Sequence, residues 1–252
     1  MRQNPRRIGI ARALSKRGHC SRSQGFALVR AGRVAINGIC RRDPQFPVDL
    51  ARDRIAVDGS IITAPNLLYF MLNKPRGLVT TTSDEKGRET IYSCLPLDLP
   101  WVAPVGRLDK ASEGLLLVTN DSEWAARVLA PETHLDKTYR VQVRGMVEPQ
   151  IIQSLAKGLR TDAGVLRVRS ASILRQGARN TWLEIILDEG KNRHIRRMLE
   201  ALGIEVLRLV RVAVGPLALG DLPKGKSRQL TSEEKNTLDR AMHSAQNRAR
   251  RR

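Results

Sequence analysis

Residues 105–121 run Val-Gly-Arg-Leu-Asp-Lys-Ala-Ser-Glu-Gly-Leu-Leu-Leu-Val-Thr-Asn-Asp, a charged stretch set between two apolar runs. A strand ending at Gly106 and another opening at Gly114 fit the pattern, since Val102–Val105 and Leu115–Thr119 are short, apolar and bounded by glycine. Burial of Leu115–Val118 anchors the loop between them. Asp109 is then fixed between the cations Arg107 and Lys110, which favour its ionised form. An ionised, positioned carboxylate can act as nucleophile or electrostatic stabiliser at a sugar anomeric carbon. On composition alone, a salt-bridged surface loop is the favoured reading.

Outward from this stretch the chain reads as an α+β mixture. Further strand-like runs are Thr138–Val143, Val165–Leu174, Trp182–Leu187 and Val206–Val214; Glu123–Leu129, Gln150–Leu159 and His194–Leu202 read as helices. They do not alternate regularly, which argues against a doubly wound parallel sheet and for a largely antiparallel sheet decorated by helices. The strand Tyr-Phe-Met-Leu-Asn-Lys-Pro opens this domain, expected over residues 67–235, and Ile61–Leu68, broken by a proline and an asparagine, reads as a linker. A smaller domain is expected over residues 1–64. Ile8, Ala11 and Leu14 recur at helical spacing, and Ser21 is placed to cap a second helix that turns Phe26 and Val29 inward. Asn37-Gly38 and Asp58-Gly59 then mark two tight hairpins. Thr231-Ser232-Glu233-Glu234 forms a capping box for a short last helix. Residues 236–252 lack a core-forming pattern and read as a disordered basic arm.

The 252 residues include 44 Lys or Arg against 25 Asp or Glu, a net charge of +19. The excess is densest at the ends: residues 1–66 carry 13 Lys/Arg against 4 Asp/Glu, and residues 236–252 carry 5 against 1. Such a balance favours a polyanionic partner, and a nucleic acid fits best. No apolar run is long enough to span a bilayer, and no apolar block follows the N-terminal arginines as a secretory signal requires. Cys20, Cys40 and Cys94 stand far apart, neither a disulfide framework nor a zinc site, which suits a cytoplasmic location. The four histidines are scattered, no metal site is expected, and no phosphate-cradling glycine loop is present. No cofactor is expected.

The stretch Gly106–Asp121 closely resembles the signature of the RsuA family of rRNA pseudouridine synthases, G-R-L-D-x-x-[ST]-x-G-L-[LI]-x-[LF]-[TS]-N-[DH]-G, and departs from it at Ser122, where glycine is usual. Three more blocks of that family occur in the right order along the chain: Leu72–Gly77, Lys137-Thr138-Tyr139, and Glu189–Leu199, the last with His194 where glutamine is common. The resemblance implies an isomerase that breaks the bond between a uracil ring nitrogen and ribose, turns the base, and rejoins it through carbon 5. By the same resemblance Asp109 is the catalytic aspartate, Tyr139 stacks on the base and takes the carbon-5 proton, and Arg196 pairs with Asp109, with Arg193 competing for that place. The target base must leave its stack. Arg107 fills the vacated space or contacts a phosphate, and Lys74, Arg76, Arg193 and Arg197 are expected on phosphates.

Residues 21–59 also resemble the α-L RNA-binding domain of the ribosomal S-four type, through Ser21-Arg22, Ala31–Gly38 and Asp58-Gly59. That resemblance makes Lys16, Arg17, Arg22, Arg30 and Arg33 candidate phosphate contacts. The expected protein is a monomeric synthase acting on ribosomal RNA or a pre-ribosomal particle, away from membranes, and the Lys137–Gly145 stretch leans towards the large subunit. A catalytically silent RNA-binding or ribosome-assembly protein is the alternative; a basic nuclease would need clustered carboxylates or paired histidines that the sequence lacks.

Overall fold

The computed structural model describes residues 7–249 apart from 65, 83, 85, 134 and 163, and the side chains of 245–249 are likewise outside the description. The chain forms two compact units. One contains the residues up to Tyr69 with Pro96–Ala103 and Val118–Ala125; the other contains Phe70–Leu95, Pro104–Leu117 and the rest.

In the first unit, strand β1 (Ile8–Gly9) precedes helices α1 (Ile10–Lys16) and α2 (Arg22–Arg30). Ile8 therefore belongs to a strand paired with β4 (Pro47–Val48), and Ile10, Ala13 and Leu14 carry the apolar face of α1. Ser21 and Gln24 form a reciprocal capping box at the start of α2. This helix packs through Gly25 rather than Phe26: a methyl at Gly25 would lie 3.0 Å from the Ala11 carbonyl, and Phe26 is only half-buried. Both expected hairpins form. Asn37 and Asp58 take left-handed φ values of 52° and 49°, which their short polar side chains tolerate. The four-stranded sheet runs β3 (Ile39–Arg41), β2 (Val34–Ile36), β5 (Ile55–Val57), β6 (Ser60–Ile61).

The second unit is built on a nine-stranded sheet. Its strands are β7 (Tyr69–Lys74), β8 (Ala103–Val105), β9 (Glu113–Thr119), β10 (Lys137–Arg144), β13 (Ser170–Gln176), β14 (Asn180–Leu187), β15 (Val206–Val214), β16 (Leu217–Ala218) and β17 (Ser227–Gln229). Their order is β13-β14-β10-β15-β9-β7-β17, with β16 beside β15 and β8 beside β9. Neighbours from β13 to β15 run antiparallel, and β15 meets β9 in parallel. The result is the expected α+β arrangement with a largely antiparallel sheet. The run Val165–Leu174 divides into β12 (Gly164–Leu166), paired with β11 (Leu159–Thr161), and β13. Helices α3 (Ser122–Leu129), α4 (Pro149–Lys157) and α5 (His194–Ala201) occupy the remaining expected positions. Val141, Val143, Leu183 and Ile185 face Ile195, Met198 and Leu199 of α5 in one apolar core.

The arm expected to be disordered is instead part of α6 (Ser232–Ala249). Thr231 and Glu234 bond reciprocally at its start, and Leu238 and Met242, four residues apart, are 0% and 2% exposed. Residues four apart share one helix face, so α6 packs by the face that carries these two side chains. Residues 250–252 of the expected arm lie outside the described residues. Among the described residues, no helix is long and apolar enough to cross a membrane.

Candidate active site

The loop between β8 and β9 holds its shape because each carbonyl from Leu108 to Ser112 accepts a hydrogen bond. Thr80 Oγ1 donates to Leu108 O at 2.8 Å, the Gly77 amide to Lys110 O at 2.8 Å, and Arg196 Nη2 to Ala111 O at 3.1 Å. Lys74 Nζ donates to Asp109 O at 3.2 Å and to Ser112 O at 2.9 Å, and the Ser112 amide closes a turn onto Asp109 O at 2.9 Å. A side chain on such a loop is preorganised, since little conformational freedom remains to be lost on binding. Glycine at 114 lets β9 follow directly: at its φ of +103° a methyl would sit 2.2 Å from Arg211 O.

Asp109 stands where two hollows meet. A cavity of about 280 Å³ takes in Asp109, Tyr139, Lys137, Arg193, His194 and Arg211, at the small end of ligand pockets. A second hollow of about 450 Å³ is lined by Thr80, Lys86, Arg88, Arg107, Asp109 and Lys110. Arg107 borders both and is exposed. Arg88 is occupied by a bidentate contact with Asp84.

The structure brings Asp109, Tyr139, Arg107 and Arg193 to one cavity, while Arg196 lies beside the loop. No ion pair between Arg196 and Asp109 forms among the described residues, Arg196 Nη2 donating instead to Ala111 O; nor does Arg193 form one with Asp109. Burial, with repulsion from Arg193 and Arg76, lowers the Arg196 pKa while Asp109 opposes the shift, so these four groups share one electrostatic neighbourhood. Arg193 caps α5 with φ 50°. A non-glycine residue in that region is strained, a feature that clusters at functional sites.

One expected phosphate contact, Lys74, is corrected, and four others have partners within the fold. Lys74 is 0% exposed and its ammonium, turned onto the carbonyls of Pro75, Asp109 and Ser112, cannot reach a phosphate. Burial pushes its pKa down to about 8. Arg17 donates to the Leu50 carbonyl, Lys16 pairs with Glu123, and Arg33 makes a two-pronged contact with Asp58. Each is thus engaged within its own unit. Arg197 lies by Asp162 and Glu200 in a separate hollow that Arg193 also borders. Arg22, Arg30 and Arg76 are exposed, with no carboxylate within 4.0 Å among the described residues.

Sequence reasoning missed the clamp formed by Thr80 and Lys74 and the cavity lining supplied by Lys137 and Arg211. Lys137 sat in plain view two residues before Tyr139, on the same strand face. Arg211 was hidden in the apolar run Val206–Val214, although a lone arginine at a buried strand position is itself a signal. His194, 3% exposed, lines the cavity with its pKa lowered by burial.

Comparison with known proteins gives the family independently of the site. A family model described as RNA pseudouridylate synthase matches residues 68–201, and one described as S4 domain matches residues 9–55. The chain is 37% identical to an uncharacterized RNA pseudouridine synthase of Aquifex aeolicus, over 93% of this chain and 95% of that one. It is 32% identical to ribosomal large subunit pseudouridine synthase B of Bacillus subtilis, over 91% and 94% of the two chains. A crystal structure of a pseudouridylate synthase superposes with a TM-score of 0.64 at 29% identity, over 92% of this chain and 99% of that one.

Proposed function

Because the chain belongs to the RNA pseudouridylate synthase family, isomerases that act on RNA, we propose that it converts a specific uridine of large-subunit ribosomal RNA to pseudouridine, with Asp109 as the catalytic carboxylate. The observation that carries this reading is the meeting in one small cavity of Tyr139 on β10 with Asp109, whose loop has every carbonyl from Leu108 to Ser112 bound. The large-subunit assignment draws on the printed name of the Bacillus subtilis relative.

A uridine swung out of its stack enters the 280 Å³ cavity and lies against Tyr139, its ribose over Asp109. Asp109 either attacks the anomeric carbon or removes the neighbouring ribose proton; both routes free the base, and both are reversed when carbon 5 forms the new bond. Tyr139 accepts the carbon-5 proton, directly or through water. Arg107, exposed between the two hollows, fills the vacated stack or binds an adjacent phosphate, and Lys86 and Lys110 attract the flanking strand. Arg196 acts by holding Ala111 and by its field at Asp109 rather than by a direct pair. The proposed protein is a cytoplasmic monomer whose domains divide near residues 64–67, the first docking on folded RNA.

Pseudouridine mapping of ribosomal RNA tests this. A strain lacking the gene should lose modification at one uridine or a few, wild type should restore it, and Asp109→Asn should not. Restoration by Asp109→Asn would remove the catalytic assignment. An unchanged map in the deletion strain would favour a silent RNA-binding protein.

A further inference from the structure

Lys137 and Tyr139 lie two apart on β10 and share a face, and Arg211 on β15 stands directly opposite Tyr139. A register shift between Thr138 and Tyr139 leaves Val212 as an extra residue beside this pair, a bulge of the kind that re-aims side chains next to active sites. Arg211 is 7% exposed; its Nε donates to Leu115 O at 2.7 Å, and both cations line the cavity that holds Asp109. Neither has a carboxylate within 4.0 Å among the described residues. Burial and then repulsion from Arg211 lower the Lys137 pKa, with Asp136 and Asp188 opposing. Asp136 is itself committed to Arg169 at 2.7 Å. Two like charges brought together in a mostly buried place, without a touching acid, cost stability. Such a pair gains its return where negative charge arrives during a reaction.

The isomerisation proposed above creates such a charge, and this inference rests on that reading. When the bond from ring nitrogen 1 to the anomeric carbon breaks, its electron pair leaves with the base. The resulting uracil anion spreads charge over nitrogen 1 and the carbonyl oxygens at carbons 2 and 4. To present carbon 5 in place of nitrogen 1, the base makes a half-turn about the axis through nitrogen 3 and carbon 6. That half-turn also interchanges the two carbonyl oxygens. Two donors placed for those oxygens before the turn are therefore matched again after it. Carbon 5 then gives its electron pair to the ribose carbon and loses its proton, and nitrogen 1 gains one, so the net change is isomerisation alone.

We propose that Lys137 and Arg211 are the floor of the base subsite: they bind the two carbonyl oxygens of the flipped uracil, stabilise its anion once the bond has broken, and receive the same pattern of acceptors after the half-turn. They are catalytic residues that discriminate the uracil anion by charge, distinct from Asp109 at the sugar.

Single-turnover kinetics on an RNA carrying the mapped uridine, or 5-fluorouridine at that position, tests the assignment in the full-length protein. Lys137→Met should slow loss of uridine about 100-fold or more, the scale of a lost donor to developing charge, with RNA affinity within about twofold. Fluorine stabilises the base anion, so the loss should be several-fold smaller for 5-fluorouridine. Lys137→Arg and Arg211→Lys, which keep the charge and spare the packing, should retain much of the rate. Equal losses on the two RNAs, a loss in affinity instead of rate (a phosphate contact), or conservative variants as slow as Lys137→Met would each overturn the inference. Inactive wild type, or active Asp109→Asn, would instead sink the functional reading itself.

Discussion

Lys74 illustrates how a side chain of one expected role performs another at the residue scale. Its three donors meet the carbonyls of Pro75, Asp109 and Ser112, so it fixes the aspartate loop from behind. Sequence shows the lysine but not which way its stem runs, and a basic residue before Pro75-Arg76 resembles a phosphate ligand until burial is known. Burial lowers its pKa from an ordinary 10.5 to about 8. Below the lower value folded and unfolded chains both hold the proton, and the fold bears a buried ammonium. Between the two values the unfolded chain holds the proton more tightly, so this group's contribution to stability rises with pH across that window and is lost as pH falls through it. The melting temperature of wild type relative to Lys74→Met should accordingly climb between pH 8 and 10.5; a constant difference would show that the ammonium is not desolvated. The neutral amine has one donor fewer for the same three carbonyls, so the turnover rate should decline over the same window. Lys74→Met should lower that rate roughly 10- to 100-fold at pH 7, the expected effect of a misplaced reacting group, and flatten the decline.

At the scale of elements, β9 and β15 approach so closely that Gly114 cannot carry a side chain. A methyl there would overlap the Arg211 carbonyl and amide, at 2.2 and 2.8 Å, in a backbone region hostile to L-residues. Gly114→Ala should cost about 3 kcal/mol or more in urea unfolding, at the upper end of overpacking in a core; a change below 1 kcal/mol would mean that the parallel pairing relaxes freely. The two glycines bounding the Arg107–Glu113 loop were legible as strand punctuation, and the apolar runs flanking them fixed both strands. Asn37-Gly38, Asp58-Gly59 and the Ser21 cap were legible for a related reason, because each is a local conformational preference. What sequence concealed depends on distant partners. Ile8 has helical spacing yet is claimed by Val48, and Phe26 yields the helix contact to Gly25 because Ala11 comes too near. Leu238 and Met242 form too sparse a pattern to announce α6 in a basic tail. Removing residues 236–252 exposes the surface those two cover, and should lower stability by about 3–6 kcal/mol on the usual value for two buried apolar side chains. A truncated chain that melted with wild type would return those residues to the role of a loose arm.

Over the whole molecule, the net charge of +19 divides into cations spent on the fold and cations left free. Arg33, Arg144, Arg169, Arg208 and Arg228 are engaged by Asp58, Glu205, Asp136, Glu113 and Glu234. Exposed Arg22 and Arg30 in the first unit, and Arg76, Arg107 and Lys110 in the second, have no such partner among the described residues. Composition gave the sign of the partner's charge, but only the pairing pattern separates structural cations from those available to phosphates. Counterion release makes the distinction measurable: each phosphate neutralised adds roughly 0.7–0.9 to the slope of log affinity against log salt. Replacing Arg22 and Arg30 together by alanine should weaken RNA binding at low salt and reduce that slope by about 1.5. The change should be the same for RNAs with and without the target uridine, because phosphate contacts carry no base information. Arg33→Ala, whose guanidinium is engaged with Asp58, should change the slope far less while loosening the Asp58 turn. An unchanged slope in the double variant, or an equal drop for Arg33→Ala, would show that exposure and pairing do not identify the RNA-facing side of the first unit.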